Sequence, residues 1–507
     1  MANYWKKHDA YKQNGAWNGK SFYRVIGSRW AKCDAVVSVE EAESLPTDCL
    51  TFSSAEAFTI ATNNATKNWD GTLYYSTDTA TWSEWDGTTA MASAEHGGEQ
   101  RIYMRGSSNS VITGAYDKRL VLTGSNIRCD GNIENLLDYE IVANGEHPTM
   151  ANYCYYSMFS GCTALTSAPE LPATNLAKQC YHSMFKGTSL VTAPALPATT
   201  LVETYCYGYM FQDCTSLVNA PKLPATNLAD NCYQCMFSGC TSLVIAPALP
   251  ATTLAYWCYR AMFQDCISLV TAPELPAPAL ESACYASMFN GCTSLVIAPA
   301  LPATTLASEC YDYMFKGTSL VTAPELPATT LASKCYYYMF SGCKSLTSAP
   351  ELPATALETS CYYSMFSHCT SLVNAPKLPA TNLATECYNY MFEDCSSLVT
   401  APALPATTLA SKCYHYMFSR CESLATLPKL PATTLASTCY QSMFADCTNI
   451  KLSQTQSDEY PNAYRIPTAG TGTTASSALN NMFLRTGGTF TGTPAINTTY
   501  YTSNAVV

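Results

Sequence analysis

Charge is what this chain has least of. Asp, Glu, Lys and Arg make up 13% of its 507 residues, about half the ~25% of an ordinary soluble domain. The 27 basic residues are outnumbered by 38 acidic ones, giving a net charge of −11. That excludes a general nucleic-acid binder, because phosphate contacts need a basic surface. Long apolar runs are missing as well, so no segment reads as a membrane span. The opening residues, MANYWKKHDAYKQNG, carry neither an apolar stretch nor a cleavage site, so no signal peptide is visible. Catalytic signatures are absent too: there is no HExxH, GxSxG, P-loop or GxGxxG. The six histidines, His8, His96, His147, His182, His368 and His415, do not cluster. No catalytic residue, cofactor or metal site is therefore expected. His182 and His415 fall in a slot that varies between repeats and read as solvent-exposed.

What the chain does have is 26 Cys, 35 Tyr and 28 Pro, and most of them recur in register. The dipeptide Cys-Tyr returns at Cys154, Cys180, Cys206, Cys232, Cys258, Cys284, Cys310, Cys335, Cys361, Cys387, Cys413 and Cys439. Every step is 26 residues except the 25 between Cys310 and Cys335. A degraded further copy stands at Asn481, Met482 and Phe483, as expected of a terminal repeat that closes a stack.

Within a unit, Leu306, Cys310 and Met314 recur at every fourth position, with Ala307, Tyr311 and Phe315 alongside. That pattern predicts a helix with one broad apolar face, stopped at Gly317. The run Ser319 to Ala323 has room for a short strand, and Pro324 and Pro327 keep it short because each lacks a ladder donor. Stacked units would then form a solenoid, with a parallel sheet on one face and helices on the other.

The unit M-F-x-G-C-T-S-L-V-x-A-P-x-L-P resembles the bacterial-surface-protein-A-like, or Treponema-type, leucine-rich repeats, whose pattern is A-F-x-x-C-x-x-L-x-x-I-x-L-P. The likeness runs through residues 151–450. The unit here is longer than the family's commoner one and has an extra proline. The resemblance implies a leucine-rich-repeat solenoid and a role in adhesion.

The fold expected for the whole chain is mixed: an α/β leucine-rich-repeat solenoid of about twelve units preceded by a small all-β, immunoglobulin-like domain. Residues 1–49 form a basic, aromatic segment. Between residues 1 and 32, seven basic side chains accompany a single acid, Asp9, interleaved with aromatics. Such a mixture suits docking into another protein; an ordinary subdomain and a nucleic-acid site are the alternatives. The docking candidates are Trp5, Lys6, Lys7, Trp17, Arg24, Arg29 and Trp30. In 50–125, short alternating segments punctuated by Asp70-Gly71, Asp86-Gly87 and Gly97-Gly98 predict a β-sandwich. Residues 126–150 read as the entry cap, 151–450 as the solenoid and 451–507 as a degenerate repeat with an exit cap.

Twenty-two cysteines occupy two repeat positions. A disulfide in each unit is one reading. Two units, those of Cys180 and Cys310, lack the second cysteine, so obligatory pairing is disfavoured and reduced thiols acting as small core hydrophobes are preferred. The lone Cys-x-x-Cys, Cys232 and Cys235, reads as a surface substitution.

Because the units can be compared with one another, the varied positions point outward. One varied column lies between the prolines, at Glu170, Lys222, Glu274, Glu325, Glu351, Lys377 and Lys429, with Ala elsewhere. Another lies three residues earlier and includes Asn219 and Asn374. These are the candidate partner-binding residues. A second varied set, Tyr156, Tyr209, Tyr313, Tyr338, Tyr363, Tyr390 and Tyr416, either stacks on sugar rings or covers neighbouring units.

The leading functional expectation is a non-enzymatic virion fibre or appendage. Its N-terminus would dock on a virion structural protein, and its solenoid would bind a bacterial surface glycan or protein on the virion exterior. The alternative is a bacterial cell-surface adhesin. A polysaccharide-degrading tailspike is the third reading, and it would need paired carboxylates that no motif singles out. A homo-oligomer is compatible with each.

Overall fold

The computed structural model describes residues 46–507 except Tyr116, and, before residue 46, the backbone of five short strands. The chain divides into two compact units, Met1–Pro46 and Thr47–Val507. In the first, β1 (Trp5–Lys6), β4 (Tyr23–Ile26) and β5 (Arg29–Lys32) form an antiparallel sheet in the order β1-β4-β5, and β2 (Lys12–Gln13) pairs with β3 (Ala16–Trp17).

The second unit begins with two antiparallel sheets. One has the order β10-β7-β13, from Met91–Ala92, Thr59–Thr62 and Leu120–Thr123. The other has the order β14-β6-β12-β8-β9, from Arg128–Asp130, Leu50–Ser54, Glu99–Ser107, Thr72–Ser76 and Ser83–Trp85, with β11 (Ala94–His96) also on β12. Leu50, Phe52, Ile60, Leu73 and Ile102 are fully buried, and Trp69 stacks on Trp85 with ring centroids 4.9 Å apart.

These sheets run into the repeats. Ile127 and Asn132 make parallel bridges to Leu165 and Glu170 of the first unit, while the Leu120 N–H donates to the Met158 carbonyl. The capping surface thus reaches beyond 126–150. The helix α1 (Asn135–Ala143), the one α-helix among the described residues, lies in this cap and buries Leu136 and Leu137.

The helix expected in every unit is not there. Each unit instead runs through overlapping tight turns around its Cys-Tyr pair. In the first, Tyr156, Met158, Ser160 and Cys162 donate their N–H groups three residues back, to Tyr153, Tyr155, Ser157 and Phe159. Tyr155, Ser157, Phe159 and Gly161 donate instead to the Cys180, His182, Met184 and Lys186 carbonyls of the next unit. Every second N–H therefore finds its acceptor one rung away.

The reason is length and stacking together. So short a segment makes a marginal helix alone, whereas a neighbouring copy offers a ready row of acceptors for groups that must be paired when buried. The turn path also repeats every four residues, with left-handed backbone at Tyr153, Ser157 and Gly161, where φ is 62°, 53° and 76°. It therefore buries Cys154, Tyr155, Met158 and Phe159, much as a helix would. Periodicity alone does not separate the two.

The expected strand shrinks to single parallel bridges, running from Thr192 through Asn219, Ile245, Thr271, Ile297, Thr322, Ser348 and Asn374 to Thr400. The flanking prolines stop them from lengthening.

Between rungs, identical side chains stack. The tyrosines from Tyr155 to Tyr440 form one ladder, with centroids 5.6 to 6.1 Å apart and planes within 12°. The phenylalanines from Phe159 to Phe483 form a second, spaced 5.4 to 5.8 Å. The last contact places the degraded copy as a further rung, because Tyr440, Ser442 and Phe444 donate to the Ala478, Asn480 and Met482 carbonyls. The exit is closed by β19 (Ala505–Val506), parallel to β15 (Thr426–Leu427), and by the antiparallel order β16-β18-β17, from Leu452–Ser453, Thr499–Thr502 and Asn462–Arg465.

The left-handed positions give a test by sign. A non-glycine residue there costs roughly 1–2 kcal/mol, and Ser287 occupies one with φ 57°. Ser287→Gly is expected to raise stability by about 0.5–1 kcal/mol in denaturant titration, where a helix interior would lose a similar amount.

Candidate functional site

The second cysteine of each unit has a structural task. The Cys214 thiol donates to the Phe185 carbonyl of the preceding unit at 3.0 Å, and Cys240, Cys266 and Cys292 repeat the contact with Phe211, Phe237 and Phe263. In the two units without this cysteine, Thr188 and Thr318 fill its place, 2% exposed. Their hydroxyls donate to the carbonyls of Phe185 and Phe315 and meet the thiols of Cys214 and Cys343 at 3.3 Å. The threonine hydroxyl donates within its own unit, not to the preceding one as the thiols do, so the slot accepts a small buried donor of either kind and does not depend on a disulfide partner. Burial pushes Cys214 and Cys343 up to about 11, so both stay protonated and unreactive. Cys235 belongs to this interior rather than to the surface, at 8% exposure and with left-handed backbone.

His182 is likewise not exposed. It is buried between the rings of its neighbours, stacked on Tyr156 at 4.7 Å and tilted against Tyr209 at 5.2 Å. Burial, then Lys186, lowers it to about 4, so it is neutral at pH 7. The varied tyrosines behave in the same way. Tyr313 stacks on Tyr338 at 4.9 Å and Tyr390 on Tyr416 at 4.9 Å, while Tyr363 stacks on Tyr337, a residue outside that set, at 4.7 Å. Their ring faces are occupied by neighbours, which favours the covering role over sugar stacking.

Beside them Asp312 is mostly buried, and its Oδ1 has no hydrogen-bond partner among the described residues. Burial, then Glu309, raises its carboxyl to about 7. A folded-state pKa above the unfolded one means stability is full below about pH 4 and is lost as pH rises toward 7. Asp312→Asn is therefore expected to stabilise the chain above pH 7 by roughly 1–2 kcal/mol after allowing for solvent screening. Thermal melts at pH 5 and pH 8 check it, through a smaller pH difference in the variant.

The outward columns form one face. Glu170, Lys222, Glu274, Glu325, Glu351, Lys377, Lys429, Asn219 and Asn374 are all exposed. They are held there by fixed neighbours: Leu223 and Leu378, next to the two lysines, are 3% exposed and anchor the chain in the core. Just before the bridge column runs a feature that the repeat comparison did not single out, a file of exposed valines including Val191, Val218, Val270 and Val321. Ile245 and Ile297 in the bridge column itself are 67% and 72% exposed. The substitution of Val by Thr347 and Ala425 was the available signal that this position faces outward.

All three lysines of the column line grooves. One of about 520 Å³ has Asn219 and Lys222 over Pro221, Pro224, Ile245, Pro247 and Ala248. A second of about 430 Å³ has Asn374 and Lys377 over Pro376, Pro379, Ala401, Pro402 and Ala403. A third of about 500 Å³, at the exit, is lined by Lys429, Asn462, Arg465 and Tyr464. Among the described residues these three lysines make no ion pair, and no group of three His, Cys, Asp or Glu could hold a metal. No described helix is long and apolar enough to cross a membrane.

The docking candidates Trp5, Lys6, Trp17, Arg24, Arg29 and Trp30 lie on β1, β3, β4 and β5, while Lys7 and all the side chains of this unit lie outside the described residues. No curated protein and no solved structure matches the chain. Residues 204–347, 259–399 and 308–451 match the BspA type leucine-rich repeat region, in six copies. The turns, ladders and exposed columns described above are therefore those of a repeat array similar to that family, and the match supports a BspA-like leucine-rich-repeat protein.

Proposed function

We propose that the chain is a surface-displayed, non-enzymatic binding protein whose repeat array holds its ligand on the face of the varied columns. One observation carries this reading. The buried letters of the unit are copied almost unchanged, while the exposed position between the prolines switches between Glu, Ala and Lys. A solenoid used only as a spacer has no need for such variety on one face, whereas solenoids that bind use an extended surface of this kind. The likeness to BspA type repeats supports display on a bacterial cell surface.

A second reading, display on a virion, is favoured by the basic, aromatic residues gathered in the separate unit Met1–Pro46. There the N-terminal unit docks on a structural protein, and the β-region, of immunoglobulin-like size, spaces the array from it. Deleting residues 1–46 then abolishes incorporation into particles and leaves the remainder folded.

The array face is tested by Lys222→Glu, Lys377→Glu and Lys429→Glu together. Adhesion of the labelled chain to bacterial cells is expected to fall tenfold or more, with the melting temperature unchanged. Unaltered adhesion moves the site off this face.

A further inference from the structure

Two of the grooves are built from the same six letters. The run Asn-Ala-Pro-Lys-Leu-Pro stands at 219–224 and again at 374–379, and each copy is followed one rung later by a Pro-Ala pair that forms the opposite wall. In the bridge column, asparagine accompanies a lysine three residues on in both cases. The exit groove assembles the same chemistry from other parts of the chain, with Lys429 from the array and Asn462 and Arg465 from the closing sheet. Twice, then, a single lysine and a carboxamide stand over an apolar wall, and at the exit two cations and a carboxamide line a more mixed groove, in a protein whose net charge is −11.

We infer that these grooves are binding sites for acidic sugar units, and that the array holds a carboxylate-bearing polysaccharide at several points along its length. The assignment rests on the binding face proposed above and names its ligand. Proline and alanine present flat C–H surface but few backbone donors, which suits the apolar face of a pyranose ring. It does not suit an added peptide strand, which needs free N–H and C=O groups. The asparagine carboxamide both donates and accepts, as a sugar hydroxyl requires. In each array groove a lone ammonium matches a single carboxylate, whereas phosphate recognition favours several convergent donors. Among the described residues, Lys222 and Lys377 have no acidic partner to displace before they bind.

The Lys222 and Lys377 grooves lie six rungs apart, roughly 29 Å at the ordinary spacing of hydrogen-bonded strands. A chain long enough to reach both gains by the raised effective concentration of its second contact.

The test uses the purified full chain with polygalacturonate, dextran of similar length and inorganic polyphosphate, measured by calorimetry. Polygalacturonate is expected to bind at least tenfold more tightly than either of the other two. Oligogalacturonides long enough to span roughly 30 Å are expected to bind at least tenfold more tightly than short ones. Lys377→Ala should remove that length advantage while leaving the affinity for short oligomers within twofold, and adding Lys222→Ala, Asn219→Ala, Asn374→Ala, Lys429→Ala and Asn462→Ala, so that all three grooves are altered, should weaken binding of short oligomers as well. Equal binding of dextran, tighter binding of polyphosphate, or retention of uronate affinity by the combined variant overturns the ligand assignment. Cell adhesion by the lysine-to-glutamate variant reports separately on the face: its loss alongside a negative uronate result leaves the face standing and removes only the ligand.

Discussion

Phe289→Ala is expected to destabilise the array by about 3–5 kcal/mol, the ordinary cost of emptying a large buried aromatic site. Its ring lies between Phe263 at 5.8 Å and Phe315 at 5.7 Å, fully buried, so one truncation removes two stacking contacts. Each such contact contributes about 0.5–1.5 kcal/mol beyond area burial. The loss also has a direction. In a stack where each rung touches only its neighbours, a weak rung divides the array rather than loosening it uniformly. Hydrogen exchange should show faster opening at the units of Cys258, Cys284 and Cys310, with distant units such as that of Cys413 nearly unchanged. Uniform loss of protection would mean that the array is not coupled rung by rung.

Deletion of residues 272–297, one whole unit, is expected to be tolerated, with soluble expression and a melting temperature within a few degrees of the parent. Thr271 then precedes Ala298 as it now precedes Ala272, and both ladders close over the gap. Deletion of 272–284, half a unit, puts Tyr285 after Thr271. At the join, the inter-rung donors of the Cys258 unit, Tyr259 among them, would lose the carbonyls they face, and the buried Tyr and Phe on either side of it would have no partner in register. Soluble expression is expected to collapse. Equal tolerance of the two deletions would show that stacking register does not hold the chain together.

The core was legible in the sequence because each rung must present the same surface to its neighbour, so the letters Cys, Tyr, Met and Phe recur at fixed spacing. The outward columns were legible for the complementary reason: a position that changes among Glu, Ala and Lys touches no invariant neighbour. The backbone path was not. A four-residue repeat of buried side chains fits a helix and a run of turns equally, and the choice is made by hydrogen bonds to the next unit, which a single unit's letters do not contain.

His182 and Cys235 were misplaced through the same gap. Both occupy variable slots, yet these slots lie on a turn surface covered by the ring or chain of the adjacent rung. Their variability reflects pairwise stacking, as between His182 and Tyr156, and not exposure. The threonine in the cysteine slot was visible as a missing Cys at Thr188 and Thr318, but its meaning needed the carbonyl of Phe185 or Phe315 beside it.

The central claim is that stacked turns, and not helices, carry the Cys-Tyr segments, and far-UV circular dichroism of the purified chain tests it most directly. With the described α-helix confined to Asn135–Ala143, the spectrum is predicted to lack the double minimum of helical proteins. A strong helical double minimum, of the size that a helix in every unit would produce, would contradict the account.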